Sequence, residues 1–128
     1  MNTTTPRERF EQFIADAVAA LPENIRSQME NVAFVLDDQT PPGALLGLYH
    51  GIPKTGRNLG YSGVLPDKIT IYQKTIEADV RGASELPQAV RRVVWHEIGH
   101  HFGISDRRLR QLEKNWERHS NRANKKSP

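Results

Sequence analysis

The sequence predicts one small domain that contains both helices and strands. Its 128 residues fit one domain, since compact domains cluster at roughly 100–150 residues. Apolar residues recur at helical spacing near the amino terminus and again in the last third of the chain. Between these stretches lie three short apolar segments of strand length. The chain is 37% hydrophobic and 26% charged, as expected for a soluble globular protein.

The first helix is predicted over residues 7–21. Its apolar residues are spaced for one helix face, and Thr5-Pro6 provides a start signal. Pro22 ends this helix or opens a short second helix that runs to Asn31. The amino-terminal part of the chain is therefore expected to be helical.

Three strands are predicted next. The apolar run Val32–Leu36 is the first, Leu45–Tyr49 the second, and the alternating segment Ile69–Gln73 the third. Gly47 within the second strand indicates a bulge or a close approach of another backbone. The segment from residue 51 to 66 is rich in Gly, Pro, Asn and Ser, which predicts a long surface loop, and loops of this length are often functional.

The last third of the chain is predicted to be helical. A short helix is expected over Thr75–Val80. Pro87 fits the first turn of a longer helix that runs to about Phe102, with Gly103 as its stop signal. A final amphipathic helix is expected over Asp106–Trp116.

The net charge of +3 originates in the carboxy-terminal segment. Residues 107–128 contain eight basic and two acidic residues, a net charge of +6, whereas the remainder carries −3. We interpret residues 1–120 as a single domain and residues 121–128 as a basic, disordered tail. Because its basic residues are mixed with Asn, Ser and one aromatic residue, Trp116, the segment favours a solvated helix face over nucleic-acid binding.

The sequence also excludes cysteine chemistry and a membrane-spanning helix. The chain has no cysteine, which excludes disulfides, a thiolate nucleophile and Cys-ligated zinc, so any metal must take histidine and carboxylate ligands. No apolar run approaches the roughly 18–20 residues of a membrane span, and no signal-like segment precedes the first helix. A cytoplasmic location is therefore expected. The sequence assigns no oligomeric state.

The chemistry is concentrated in the segment from His96 to Asp106, which has the pattern H-E-x-x-H-x-x-G-x-x-D. On a helix, His96 and His100 project about 40° apart on one face, so both imidazoles can bind one Zn²⁺. Glu97 lies near enough to contact a metal-bound water without being a ligand. Gly103 can turn the chain back through a left-handed conformation, which returns Asp106 toward the metal as a third ligand. A fourth position left to water is typical of catalytic zinc.

The other histidines are predicted to have no role at this site. His101 projects about 140° from His96, on the core-facing stripe of the same helix, so it is expected to be a hydrogen-bonded structural residue. His50 and His119 are isolated in the sequence and are expected in a loop or on the surface.

These residues resemble the zincin superfamily of metallopeptidases. The resemblance is closest to the small, mostly bacterial minimal zincin family, whose members carry the same motif in a domain of about this length. It extends over roughly residues 8–116. Further points of resemblance are the segments Leu46-Gly47-Leu48-Tyr49, Gly51-Ile52-Pro53, Leu65-Pro66-Asp67-Lys68-Ile69 and Phe102-Gly103-Ile104.

The resemblance implies an α+β fold, with a small three- to four-stranded sheet packed on the amino-terminal and metal-bearing helices. It also implies a zinc metallopeptidase that hydrolyses peptide bonds of a peptide or protein substrate. Zn²⁺ would be held by His96, His100 and Asp106, and Glu97 would be the general base that deprotonates the zinc-activated water. The group that completes the oxyanion site is not identified; the candidates, each more commonly a packing aromatic, are Tyr49, Tyr61 and Tyr72.

Two alternatives remain open at the level of sequence. Larger metzincins place a third histidine at the position of Asp106, whereas gluzincins take a glutamate from a later helix, which makes Glu113 and Glu117 alternative third ligands. The chain has no methionine after Met29, so it lacks the methionine turn of metzincins. The second alternative is a zinc-binding module without efficient peptidase activity, which would use the loop or the tail to bind a partner.

Overall fold

A computed structural model describes residues 4–29, 31–51 and 66–126, with side chains up to residue 118. Within these residues the fold is α+β. Two 3₁₀ turns, at Pro42–Ala44 and Ala83–Glu85, connect longer elements. The helices and strands are, in chain order, α1 (Pro6–Ala19), α2 (Glu23–Arg26), β1 (Val32–Asp37), β2 (Gly47–His50), β3 (Asp67–Tyr72), α3 (Gln73–Asp79), α4 (Leu86–His101) and α5 (Asp106–Lys126).

Helix α1 begins at a complete capping box. The Thr5 hydroxyl accepts a hydrogen bond from the Glu8 amide at 3.1 Å, and the Glu8 carboxylate accepts one from the Thr5 amide at 3.3 Å. Two amide groups without helical partners are thereby satisfied, and Pro6 occupies the first turn, where a missing N–H costs nothing. The buried face of α1 packs on α4, and the indole of Trp95 donates a hydrogen bond to the Ala17 carbonyl at 2.8 Å.

The three described strands form one mixed sheet in the order β1-β3-β2. Strand β1 is parallel to β3, whereas β2 is antiparallel to it. In this register Gly47 lies opposite Ile71, and Tyr49 lies opposite Ile69. Both isoleucines are fully buried in the core between the sheet and the helices. Strand β2 is thus an edge strand among the described strands, and it lies against α4.

Gly47 is the point of closest approach between β2 and α4. A Cβ atom added there would lie 2.6 Å from Cγ1 of Val93 and 3.2 Å from Cγ of Glu97. Only a residue without a side chain lets the strand pass this close to the helix. Of the two interpretations of this glycine, a bulge or a close approach, the structure shows a close approach, between the backbone of β2 and side chains of α4.

The predicted α+β class and the packing of the sheet on the first helix and α4 are confirmed, with three strands. The predicted loop over residues 51–66 lies outside the described residues, apart from its two ends. The predicted end of the last helix requires a correction, because α5 does not stop near Trp116 but continues to Lys126. Between these residues the sequence contains no glycine or proline, so nothing in the backbone terminates the helix. The division into residues 1–120 and 121–128 stays a prediction.

None of the described helices is long and apolar enough to cross a membrane.

Candidate metal centre

Helix α4 ends in a Schellman turn that sets the direction of the following chain. Gly103 has φ +73°, in the left-handed region predicted for it. Its amide donates to the His100 carbonyl at 2.9 Å, and the amide of Ile104 donates to the Gly99 carbonyl at 3.0 Å. Ser105 then caps the start of α5 through its hydroxyl, which accepts from the Arg108 amide at 3.3 Å. The turn therefore returns the first residue of α5, Asp106, to the end of α4.

The position of α5 is fixed by its packing on α4. A Cβ atom at Gly99 would overlap the side chain of Leu109, so the two helices approach closely at this glycine. About one turn away on α4 and two turns away on α5, the indoles of Trp95 and Trp116 pack edge to face, with ring centroids 5.9 Å apart. Leu109 and Trp116 are both buried. These contacts define which residues of α5 face the motif of α4.

His96, His100 and Asp106 converge at this junction, and we call them the metal face. Nε2 of His100 lies 3.3 Å from Oδ1 of Asp106, and Nε2 of His96 lies 3.8 Å from the same oxygen. The two imidazole centroids are 4.7 Å apart. The side chains of the two histidines are 35% and 40% exposed and that of Asp106 is 72% exposed, so the metal face is open to solvent on one side.

These three residues fit a zinc ion. Ligand atoms bound to tetrahedral zinc at about 2.0–2.1 Å lie about 3.3 Å from one another, close to the distances from Asp106 to both histidines. Two imidazole nitrogens and one carboxylate oxygen are a donor set typical of catalytic zinc. If these residues held zinc, a fourth position would be left for water or substrate.

Glu97 lies beside this group but faces a different ring nitrogen. Its Oε1 is 3.1 Å from Nδ1 of His100, and its side chain is only 9% exposed. Candidate ligand atoms of His96, Glu97 and His100 all lie within 4.8 Å of one another, so Glu97 and the two histidines form a candidate ligand set without Asp106. The position of Glu97 is therefore compatible with a base next to the metal and with a ligand.

The two alternative third ligands are in different places. Oε1 of Glu113 lies 3.4 Å from Nδ1 of His96, whereas Oε1 of Glu117 lies 3.9 Å from Arg91 and 3.4 Å from Nε2 of Gln88. Burial raises the pKa of the Glu113 carboxyl above its ordinary value, although the neighbouring His96 opposes this shift. Of the two glutamates, only Glu113 borders the metal face.

A cleft of about 420 Å³ opens beside His96 and Glu97. One wall is the segment from Gly43 to Gly47, which leads into β2. The opposite side is formed by α4, including Val93 and Arg92, and by Glu113 of α5. One of the proposed metal ligands, His96, therefore lines a cavity large enough for a side chain.

The other side of α4 is closed. We call Tyr49, Asp67 and His101 the buried cluster. Nδ1 of His101 lies 2.8 Å from Oδ2 of Asp67, and the Tyr49 hydroxyl donates to the same oxygen at 2.6 Å. His101 is fully buried, as predicted for a structural histidine. Tyr49, a sequence candidate for the oxyanion site, thus has its hydroxyl directed into the buried cluster.

Sequence reasoning did not identify the wall from Gly43 to Gly47 or the contact of Glu113 with His96. The sequence contains an indication of the contact between Glu113 and His96. Glu113 lies between Leu109 and Trp116 at helical spacing, where an apolar residue would be expected. Tyr61 and the side chain of His119 lie outside the described part of the structure. His50 is exposed on β2.

A sequence profile of the family described as zincin-like metallopeptidase matches residues 16–116. This range includes the metal face, Glu97, Glu113 and the buried cluster. No curated protein matches the chain.

Proposed function

The chain belongs to the zincin-like metallopeptidase family, and we propose that it hydrolyses peptide bonds with Zn²⁺ held by His96, His100 and Asp106. The observation that carries this proposal is the approach of both Nε2 atoms to the same Asp106 oxygen, at 3.8 and 3.3 Å. When bound, Zn²⁺ supplies a Lewis acid that polarises a carbonyl and lowers the pKa of water toward about 7.

Glu97 would act as the general base. Glu97 lies three residues before His100 of the metal face, and Oε1 of its carboxylate is 3.1 Å from Nδ1 of His100. The Glu97 carboxylate takes a proton from the attacking water and then delivers it to the leaving amine. Because its side chain is largely buried where β2 passes close to α4 at Gly47, the carboxylate has little freedom to leave this position.

An extended peptide would bind along β2. Among the described strands β2 pairs only with β3, so its outer edge can offer main-chain groups to a substrate strand. The segment that leads into β2 also lines the cleft next to His96 and Glu97. A peptide on this edge would thus pass the metal face and could place one side chain in the cleft.

The test is the variant Glu97→Gln, assayed on the zinc-loaded full chain with a mixed peptide library and mass spectrometry. We expect wild type to cleave peptides and the variant to lose at least about 100-fold of turnover, since a general base contributes about 10²–10⁴-fold. Zinc content should be unchanged. Glu77→Gln, the same substitution on α3 and away from the cleft, is the matched control and should retain full turnover.

Three other outcomes would change the proposal. Unchanged turnover in Glu97→Gln would remove Glu97 from the chemistry. Loss of zinc in the same variant would make Glu97 a ligand, in the set that it forms with His96 and His100. A wild-type protein that binds one zinc ion but cleaves nothing would favour the alternative of a zinc-binding module that acts through a partner.

A further inference from the structure

Glu113 is an acidic residue on a face of α5 that is otherwise apolar. Leu109 precedes it by one turn and is fully buried against α4, and Trp116 follows it and packs on Trp95. The same stripe directs Glu113 at the metal face. Its side chain is 24% exposed, much less than that of Asp106. A carboxylate at this position needs a partner, because burial removes the water that would otherwise solvate it.

One oxygen of this carboxylate has no hydrogen bond from any described residue. That atom, Oε1, is inaccessible to solvent, and Nδ1 of His96 lies 3.4 Å from it. The separation is longer than the usual N–H···O distance of about 2.7–3.2 Å. A small rotation of the His96 ring would convert this approach into a hydrogen bond, provided that Nδ1 carries the proton.

The proton location on His96 follows from the direction of its other nitrogen. Nε2 points toward Asp106, so a metal at the metal face would bind that atom. A neutral imidazole that binds a metal through Nε2 carries its proton on Nδ1, and a carboxylate commonly accepts a hydrogen bond from that N–H. The geometry therefore supplies a ligand nitrogen on one side of the ring and a carboxylate acceptor on the other.

We infer that Glu113 is a positioning residue that accepts a hydrogen bond from Nδ1–H of His96 and fixes the ring with Nε2 directed at the metal. This inference rests on the proposed zinc site. It assigns the role of outer partner, and not of ligand, to Glu113. Glu117 provides a natural control, since it lies one turn later on α5 and contacts Gln88 and Arg91 instead.

The experiment measures zinc affinity of the full chain by competition with a chromophoric chelator. Glu113→Ala should weaken binding by about 10–100-fold, the usual effect of removing such a partner. Glu113→Gln should lose less, because its amide oxygen still accepts a hydrogen bond, whereas Glu117→Ala should stay within about twofold of wild type. In the zinc-loaded protein, solvent exchange of the His96 Nδ1–H, measured by NMR, should be faster in Glu113→Ala than in Glu117→Ala.

Each contrary result has a distinct meaning. Equal zinc affinity and equal Nδ1–H exchange in Glu113→Ala and Glu117→Ala would overturn the inference while leaving the zinc site intact. A loss in Glu113→Ala as large as that in His96→Ala would also overturn it, since Glu113 would then be a ligand. A wild-type protein that binds no zinc would contradict the proposed function itself. Thermal unfolding of the metal-free variants verifies that each one is folded.

Discussion

Two adjacent histidines of α4 lie in opposite environments. His100 is about one-third exposed and faces Asp106 and Glu97. His101 is fully buried and pairs with Asp67 at 2.8 Å. The residues have the same side chain and neighbouring positions, and about 100° of helix rotation separates them. One therefore belongs to the metal face and the other to the buried cluster.

Side-chain chemistry alone therefore does not identify a metal ligand on this helix. The metal face presents nitrogen and oxygen atoms to solvent, where a cation can enter. In the buried cluster every named polar group already has a partner, and no solvent reaches His101. Substitutions in the two regions should consequently separate metal binding from folding.

The largest effect is expected for His100→Ala. Removal of a metal ligand should weaken zinc binding by about 1,000-fold, or about 4 kcal/mol, since loss of an outer partner alone costs about 10–100-fold. The metal-free protein should keep its unfolding free energy within about 0.5 kcal/mol, because the ring is partly solvated. Zinc titration and chemical denaturation measure the two quantities. Retention of wild-type zinc affinity would exclude His100 as a ligand.

The second-largest effect is expected for His101→Ala, and it concerns the free energy of unfolding instead of zinc affinity. The variant leaves a cavity and removes a partner of the buried Asp67 carboxylate, which should cost about 3 kcal/mol of unfolding free energy. At denaturant concentrations at which the variant is still folded, it should bind one zinc ion. Denaturation of the metal-free protein and metal analysis of the folded fraction provide the check. A stable variant that lost zinc would place His101 at the metal and reverse the comparison.

The smallest effect is expected for Tyr49→Phe. This change removes one hydroxyl that donates to Asp67 and should cost about 1 kcal/mol of unfolding free energy, the typical net contribution of a hydrogen bond. Zinc affinity and turnover should be unchanged. A loss of turnover with unchanged substrate binding would instead assign Tyr49 to the oxyanion site. The buried cluster would then take part in the chemistry of the metal face.

Much of the metal face follows from the sequence because its residues are close along the chain. The spacing of His96 and His100 on a helix, and the left-handed turn at Gly103, are local properties that the sequence pattern predicts. Gly47 likewise indicated a close backbone approach. Asp106 is six residues from His100, so one turn suffices to bring the two together.

The remaining features depend on contacts between distant parts of the chain. Asp67 is 34 residues from His101, and no local pattern selects it as the partner. The position of Glu113 depends on how α5 docks, which the contact of Leu109 with Gly99 determines. The continuation of α5 beyond Trp116 was not predicted because the residues that follow lack an apolar stripe.

The Schellman turn at Gly103 divides the metal face between two helices, with both histidines on α4 and Asp106 in the first turn of α5. A cation that binds all three residues would couple the docking of α5 to metal supply by mass action. At a free concentration of 100 times its dissociation constant, such a ligand stabilises the bound form by about 2.7 kcal/mol. Because Glu113 on α5 forms part of the cleft, the cleft and the metal face would assemble together, and chelation would loosen both.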